Sequence, residues 1–153
     1  MVKNIKKVTV LGSGIMGSGI ACHLANIGLD VLLLDMVPIG EEENKKSSIR
    51  NSIVNNSLKN AVKSKPSPIF TKGVLKNITT GNFSDDFKKI KNYDWIIEVV
   101  VERLDIKNLI FEKVDLYRKK GALISSNTSG IPISSMLEKR SDDFKAHFFG
   151  SHF

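Results

Sequence analysis

Near the start of this chain, the stretch VTVLGSGIMGSGI at residues 8–20 has the clearest pattern of local structure. Its first part, Val8 to Leu11, is a short β-branched and apolar run, which predicts a buried strand. A glycine-rich turn follows. Apolar residues then recur at helical spacing from Ile15 to Ile27, and Gly28 is placed to end the predicted helix. The stretch therefore opens a βαβ unit with a right-handed crossover.

The rest of the chain continues this alternation. A second buried strand is predicted over Val31 to Leu34 and closes on Asp35. The later predictions are one or two surface helices within 41–64, a strand at 74–80, a short helix near 85–90, a strand at 94–101, a helix at 104–119, a strand at 122–125, a short helix at 134–139 and a last strand at 148–153. This order predicts an α/β fold, with a doubly wound, mainly parallel sheet, helices on both faces, and one domain over residues 1–153.

The turn itself fits the pattern G-x-G-x-x-G, with Gly12, Gly14 and Gly17 at the three fixed positions. Alone the pattern is weak, but here it follows a predicted strand and opens a predicted helix, as a Rossmann-type dinucleotide site requires. The first glycine permits a tight turn, the second lets a pyrophosphate approach the backbone, and the third lets helix and strand pack closely. Free amides at the helix start, those of Ile15 and Met16, would then receive the phosphate charge.

Asp35 lies 18 residues beyond Gly17, at the end of the second predicted strand. A carboxylate there accepts hydrogen bonds from an adenosine ribose diol and repels a 2′-phosphate, so NAD is favoured over NADP as the cofactor. Two other interpretations remain open. One is a glycine cluster that only forms a turn, beside a solvent-facing aspartate, and the other is a methyltransferase-like nucleotide site.

Composition and charge limit the kinds of ligand, partner and location that this chain is expected to have. The net charge of +7 fits attraction to a phosphorylated ligand, or a lysine-rich bias spread over solvated faces. The lysines are scattered without interleaved aromatic residues, so no nucleic-acid partner is predicted. No apolar run reaches the roughly 20 residues of a membrane span, and Met1 to Lys7 lacks the features of a secretory signal. The single cysteine, Cys22, fits a reducing, cytoplasmic location. No metal site is predicted.

Three segments together carry a family resemblance. They are GSGIMGSGIA at 12–21, EVVVERLDIK at 98–107, and SNTS at 126–129 with a later GSHF at 150–153. Their order and spacing resemble the N-terminal domain of the 3-hydroxyacyl-CoA dehydrogenases over nearly the whole chain. The glycine segment is shared by many dehydrogenases, whereas the combination of the other segments is much more specific.

The resemblance implies an NAD-dependent oxidoreductase that interconverts (S)-3-hydroxyacyl-CoA and 3-oxoacyl-CoA, as in fatty acid β-oxidation or butanoate metabolism. It places the catalytic histidine at His152, whose imidazole would take the hydroxyl proton as hydride leaves carbon 3. It places at Ser129 the hydroxyl that hydrogen-bonds the reacting oxygen. His147 and His23 have no such support and are interpreted as structural or surface residues.

The resemblance also implies further cofactor contacts. Glu102 and Lys107 match family positions beside the nicotinamide ribose, and Asn127 could bind the ribose or the carboxamide. The alternative is that Glu102 is only a helix-start glutamate and Lys107 an exposed lysine. Glu98 lies within the apolar strand and receives no role.

In the family, a second and largely helical domain supplies the dimer interface and part of the acyl-CoA site. No such region is present in this sequence, which is therefore interpreted as the NAD-binding part of a longer, homodimeric protein. The glutamate that orients the family's catalytic histidine would lie beyond Phe153. The chain by itself is expected to bind NAD without turnover.

Two other functions stay open. One is a module that holds NAD without turnover, which the presence of both His152 and Ser129 disfavours. The other is a dehydrogenase of a 3-hydroxy acid that is not linked to coenzyme A. That group usually has a lysine as the base rather than a histidine in a Gly-x-His-Phe segment.

Overall fold

The computed structural model describes residues 4–153 and contains a six-stranded, parallel sheet with helices on both faces. The strands are β1 (Lys7–Leu11), β2 (Asp30–Asp35), β3 (Ile78–Asn82), β4 (Trp95–Glu98), β5 (Leu123–Ser126) and β6 (Phe148–Gly150). Their order across the sheet is β3-β2-β1-β4-β5-β6. This is the order of the Rossmann fold, so the predicted fold class is confirmed. Residues 1–3 of the predicted domain range lie outside the described residues.

Strand β1 lies at the centre of the sheet because its side chains are suited to burial on both faces. Val8, Val10 and Leu11 are fully buried. Val8 is in register with Val31 of β2 on one side and with Trp95 of β4 on the other. After β1 the chain adds β2 and β3 on one side of it. It then crosses to the other side of β1, where it adds β4, β5 and β6. A crevice forms at such a switch point, outside the carboxyl ends of the strands.

The helices cover the sheet from both sides. They are α1 (Ile15–Asn26), α2 (Ser47–Arg50), α3 (Ser52–Lys63), α4 (Leu104–Tyr117), α5 (Ile133–Leu137) and α6 (Asp142–Ala146), with 3-10 helices at Lys72–Asn77 and Phe87–Asn92. One core contains Ile20 of α1 and Val54 of α3, and the other contains Phe111 of α4 and Phe144 of α6. Across residues 4–153, no helix is both long and apolar enough to cross a membrane.

The strand predicted at 74–80 is wrong in its first half. Residues Lys72–Asn77 form a 3-10 helix, and β3 starts only at Ile78. The register explains the difference, because Ile78 is the residue that pairs with Val31 near the start of β2. The strand predicted at 94–101 is similarly shortened to Trp95–Glu98.

The last strand is also shorter than predicted. The sequence pattern suggests residues 148–153, but β6 ends at Gly150 because its partner β5 ends at Ser126, which pairs with Gly150. His152 therefore follows the strand instead of lying in it. Helix α6 is missed by the sequence pattern, although Ser141 caps it by accepting a hydrogen bond from the backbone N–H of Phe144.

Candidate functional site

The predicted site residues gather along one edge of the sheet. The glycine turn follows β1, Asp35 ends β2, Asn127 follows β5 and His152 follows β6. Parallel strands place all their carboxyl ends on the same edge, and ligands of open α/β sheets bind in the crevice beside that edge. The fold therefore brings the predicted cofactor-binding and catalytic residues to a single face of the molecule.

The three glycines of the turn have different geometric surroundings. Gly12 has a φ of +105°, and a Cβ added to it would lie 2.6 Å from the carbonyl oxygen of Val99. A Cβ on Gly17 would lie 1.9 Å from the carbonyl oxygen of Gly12. By contrast, a Cβ on Gly14 would meet no heavy atom of the described residues within 4 Å, apart from Gly14 itself and its two chain neighbours. The turn itself requires Gly12 and Gly17, whereas Gly14 keeps open space beside the backbone.

Helix α1 begins directly at this turn, with Gly14 as its N-cap. The first amides of a helix have no intrahelical partner, and here they belong to Ile15, Met16 and Gly17. In the part of the chain that the structure describes, no side chain caps the helix and its first turn holds no acidic residue. Ile15 is 94% exposed. The helix thus presents N–H donors and its positive dipole end to an accessible space that suits a phosphate.

The Asp35 carboxylate is half-buried and turned toward the glycine turn. Its Oδ2 accepts hydrogen bonds from the backbone N–H of Ser13 at 2.6 Å and from the Ser13 hydroxyl at 2.5 Å. Its Oδ1 accepts from the backbone N–H of Met36 at 2.7 Å. The carboxylate is therefore held against the turn and is not a freely solvated aspartate.

A buried ion pair joins β4 to α4 next to the turn. The exposed fraction is 0% for Glu98 and 1% for Lys107. Lys107 Nζ donates to Glu98 Oε1 at 2.7 Å and to Oε2 at 2.9 Å. The backbone N–H of Val100 and the hydroxyl of Ser126 donate to the same carboxylate. These partners offset the cost of burying the two charges. The alternative of an exposed lysine at position 107 is wrong.

Glu102 extends this pair toward the loop that follows β5. Its Oε2 lies 3.2 Å from Lys107 Nζ, and its Oε1 accepts hydrogen bonds from the Thr128 hydroxyl and from the backbone N–H groups of Ser129 and Gly130. Burial raises the pKa of Glu102, but these hydrogen bonds and the lysine charge outweigh it and lower the pKa from 4.5 to about 2. Glu102 is therefore ionised at neutral pH and fixes the loop that carries Ser129.

Ser129 and His152 both line one surface cavity of about 400 Å³. His152 is exposed, and its imidazole makes no hydrogen bond or ion pair within residues 4–153. Asn127 Oδ1 accepts from the backbone N–H of Phe153 at 3.2 Å, which fastens the segment of His152 to the end of β5. An imidazole and a hydroxyl beside the same cavity can bind one oxygen of a ligand and exchange a proton with it.

Three residues of this arrangement have contacts that the sequence analysis does not predict, namely Glu98, Ser13 and Thr128. The signal for Glu98 was present, because a carboxylate inside an apolar strand needs a buried cation and Lys107 lies in the next helix. The contacts of Ser13 and Thr128 depend on tertiary geometry and left no pattern in the sequence. In residues 4–153 no group of three His, Cys, Asp or Glu side chains is arranged to hold a metal ion.

The sequence profile described as "3-hydroxyacyl-CoA dehydrogenase, NAD binding domain" matches residues 7–153. The chain belongs to this family. A probable 3-hydroxyacyl-CoA dehydrogenase of Bacillus subtilis is 53% identical over 161 residues, covering 100% of this chain and 20% of that protein. A protein of the same name from Deinococcus radiodurans is 42% identical over 149 residues, covering 97% of this chain and 41% of its own length. NAD is the cofactor of the family.

Solved structures give the same result for the fold. The crystal structure of (S)-3-hydroxybutyryl-CoA dehydrogenase from Ralstonia eutropha is similar with a TM-score of 0.71 and 27% identity, covering 98% of this chain and 50% of that chain. A 3-hydroxybutyryl-CoA dehydrogenase from Escherichia coli has a TM-score of 0.70 and 26% identity, covering 99% of this chain and 30% of that chain. The present chain thus spans half or less of each of these four proteins.

Proposed function

We propose that the carboxyl edge of the sheet binds NAD with its pyrophosphate at the start of α1. Gly12, Gly14 and Gly17 would shape this part of the site, and the amides of Ile15 and Met16 would bind the phosphate oxygens. The open space beside Gly14 is the main support for the proposal, because a Cβ added there would have no described heavy atom within 4 Å apart from Gly14 itself and its two chain neighbours. It leaves the backbone accessible where the fold directs a pyrophosphate.

At the adenosine end, Asp35 would accept hydrogen bonds from the ribose hydroxyls. Its Oδ1 receives one hydrogen bond from the Met36 amide and keeps a further acceptor position. A carboxylate fixed at the end of β2 would also repel a 2′-phosphate, which supports NAD rather than NADP.

At the nicotinamide end, Glu102, Lys107 and Asn127 would lie beside the ribose. Glu102 is the best placed of the three, because it is ionised and about half of its side chain is exposed. Lys107 Nζ donates to both Glu98 oxygens and lies 3.2 Å from Glu102. A direct contact between Lys107 and the cofactor would therefore require Glu102 to give up its own contact with the lysine.

We further propose that this domain is part of a longer protein that interconverts (S)-3-hydroxyacyl-CoA and 3-oxoacyl-CoA. The bound NAD would supply the hydride acceptor. His152 would take the proton of the 3-hydroxyl group as a carbon–oxygen double bond forms, and Ser129 would hold the same oxygen by a hydrogen bond. In the reverse direction His152 would return that proton to the oxygen. The cavity that these two side chains share supports this assignment.

The relatives are longer than this chain, which covers 41% and 50% of two of them. We propose that the longer protein also contains a largely helical domain, as the family resemblance implies, with part of the acyl-CoA site and a homodimer interface in it. We also propose that the longer protein is cytoplasmic.

The test uses the longer protein that contains this domain. The rate of NADH oxidation is measured with acetoacetyl-CoA and with free acetoacetate, for the unaltered protein and for His152→Ala and Ser129→Ala. We expect activity on the CoA ester, a loss of at least about 100-fold with His152→Ala, and retained NADH binding. A rate with His152→Ala equal to that of the unaltered protein would exclude this base. A preference for free acetoacetate would favour a dehydrogenase that does not act on CoA esters.

The matched control is His147→Ala. His147 directly precedes β6, so it lies at the opposite edge of the sheet from His152. Its Nδ1 lies 2.7 Å from the carbonyl oxygen of Asp143, within the same segment of chain. The control should therefore leave the turnover rate unchanged.

A further inference from the structure

Ser13 has a contact that the G-x-G-x-x-G pattern does not require. It occupies the free position between Gly12 and Gly14, yet only 1% of it is exposed. Its backbone N–H and its hydroxyl both donate to the same oxygen, Asp35 Oδ2, at 2.6 and 2.5 Å. Ser13 therefore links the glycine turn directly to the carboxylate at the end of β2.

The two hydrogen bonds from Ser13 leave Asp35 Oδ2 with no free acceptor position. A carboxylate oxygen has two lone pairs, so Ser13 occupies both acceptor positions of Oδ2. Oδ1 accepts from Met36 and keeps one position. With hydrogen bonds on both oxygens, the carboxylate cannot rotate without breaking at least one of them. Its negative charge stays in one place and one acceptor position stays available.

We propose that Ser13 is a positioning residue that determines the choice between NAD and NADP. Its hydroxyl holds the Asp35 carboxylate where it accepts a hydrogen bond from an adenosine ribose hydroxyl and where it repels a 2′-phosphate. This inference rests on the proposed role of Asp35 at the ribose. Without the hydroxyl, only the backbone N–H groups of residues 13 and 36 hold the carboxylate. Rotation toward solvent when a phosphate approaches then breaks one hydrogen bond fewer, which lowers the repulsion.

Ser18 offers a matched control in the same turn. It is also 1% exposed, and its hydroxyl donates at 2.7 Å to the backbone carbonyl of Ser13. Replacing Ser18 by alanine therefore removes a buried hydroxyl of the same size without removing a hydrogen bond to Asp35. It reports what a general loosening of the turn does to both cofactors.

The experiment measures the dissociation constants of NADH and NADPH for the unaltered chain, Ser13→Ala and Ser18→Ala. We expect Ser13→Ala to lower the NADPH-to-NADH ratio of dissociation constants about fivefold or more, which is less than the full effect of losing a hydrogen bond to a charged group because two backbone donors to Asp35 remain. Ser18→Ala should change both constants by the same factor and keep the ratio. Circular dichroism spectra confirm that each variant is folded, and Ser13→Gly provides a second variant that lacks the hydroxyl.

An Asp35→Asn background separates positioning from other effects. Once the charge is gone, removing the Ser13 hydroxyl should no longer change the ratio. The proposal is overturned if Ser13→Ala keeps the ratio within twofold, if Ser18→Ala lowers it equally, or if the effect persists in Asp35→Asn. In these cases a preference of the unaltered chain for NADH would still support the role of Asp35. If the unaltered chain has no such preference, the role of Asp35 and the inference on Ser13 fail together.

Discussion

Lys107 Nζ lies 2.7 and 2.9 Å from the two carboxylate oxygens of Glu98, in a pair that is closed to solvent. The pair also contacts a residue at the surface, because the same ammonium group lies 3.2 Å from the half-exposed Glu102. Glu102 in turn accepts hydrogen bonds from the amides of Ser129 and Gly130. The buried ion pair between the end of β4 and α4 is thereby connected to the loop that contains the proposed catalytic serine.

Breaking this pair should cost far more stability than replacing it. We expect Glu98→Leu and Lys107→Met, each alone, to lower the free energy of unfolding by about 3–5 kcal/mol, because each leaves a buried charge without its main partner. The double variant Glu98→Leu/Lys107→Met should recover most of this loss. Urea unfolding followed by circular dichroism gives the four free energies of the cycle. Additive losses in the double variant would contradict a direct pairing of the two side chains.

Gly14 and Gly17 should respond differently to alanine. Gly14→Ala adds a methyl group to open space, so the melting temperature should change little. The same methyl group occupies the position proposed for the pyrophosphate, so NADH affinity should fall by at least about tenfold. Gly17→Ala places a methyl group 1.9 Å from the Gly12 carbonyl oxygen and should lower both the melting temperature and the affinity. Unchanged NADH affinity in a folded Gly14→Ala variant would contradict the proposed cofactor position.

Glu102 should stabilise the fold in a defined range of pH. Its pKa is about 2 in the folded chain and 4.5 without the fold, so folding favours the ionised form. The resulting stability is present in full above roughly pH 5.5 and is lost as the pH falls from 4.5 toward 2. The difference in urea midpoint between the unaltered chain and Glu102→Gln should follow this curve.

Thr128→Val provides the comparison for the Glu102 experiment. It removes one hydrogen-bond donor to Glu102 while keeping a similar side-chain volume. The pKa of Glu102 in the folded chain should then be higher, so the loss of stability should still begin near pH 4.5 but should be smaller and should end at a higher pH than in the unaltered chain. A midpoint difference for Glu102→Gln that is independent of pH between 3 and 7 would mean that the folded chain does not lower the pKa of this group.

Much of the fold could be predicted from local sequence. The β-branched run of β1, the glycine turn and the periodic residues of α1 agree with one another, so the first βαβ unit follows from propensity and pattern alone. The end points of β3 and β6 could not be predicted. They depend on where the partner strands β2 and β5 begin and end, and this register is a property of the sheet.

The predictability of the site divides in a similar way. Gly12 and Gly17 carry a spacing that any sequence comparison can find. Ser13 and Thr128 act through hydrogen bonds to carboxylates that lie 22 and 26 residues away, and no local pattern reports such a contact. For Lys107, the family resemblance predicts a position beside the nicotinamide ribose, whereas the complete burial of its side chain against Glu98 follows only from the tertiary structure.

If the start of α1 and Asp35 together form an NAD site, a titration of the chain with NADH and with NADPH should show it. Nicotinamide emission and the fluorescence of Trp95, the single tryptophan, provide two independent signals. We expect saturable binding of NADH, with NADPH binding weaker by about tenfold or more. NADPH binding that equals or exceeds NADH binding would contradict the role of Asp35. No binding of either cofactor would contradict a preformed site in this chain.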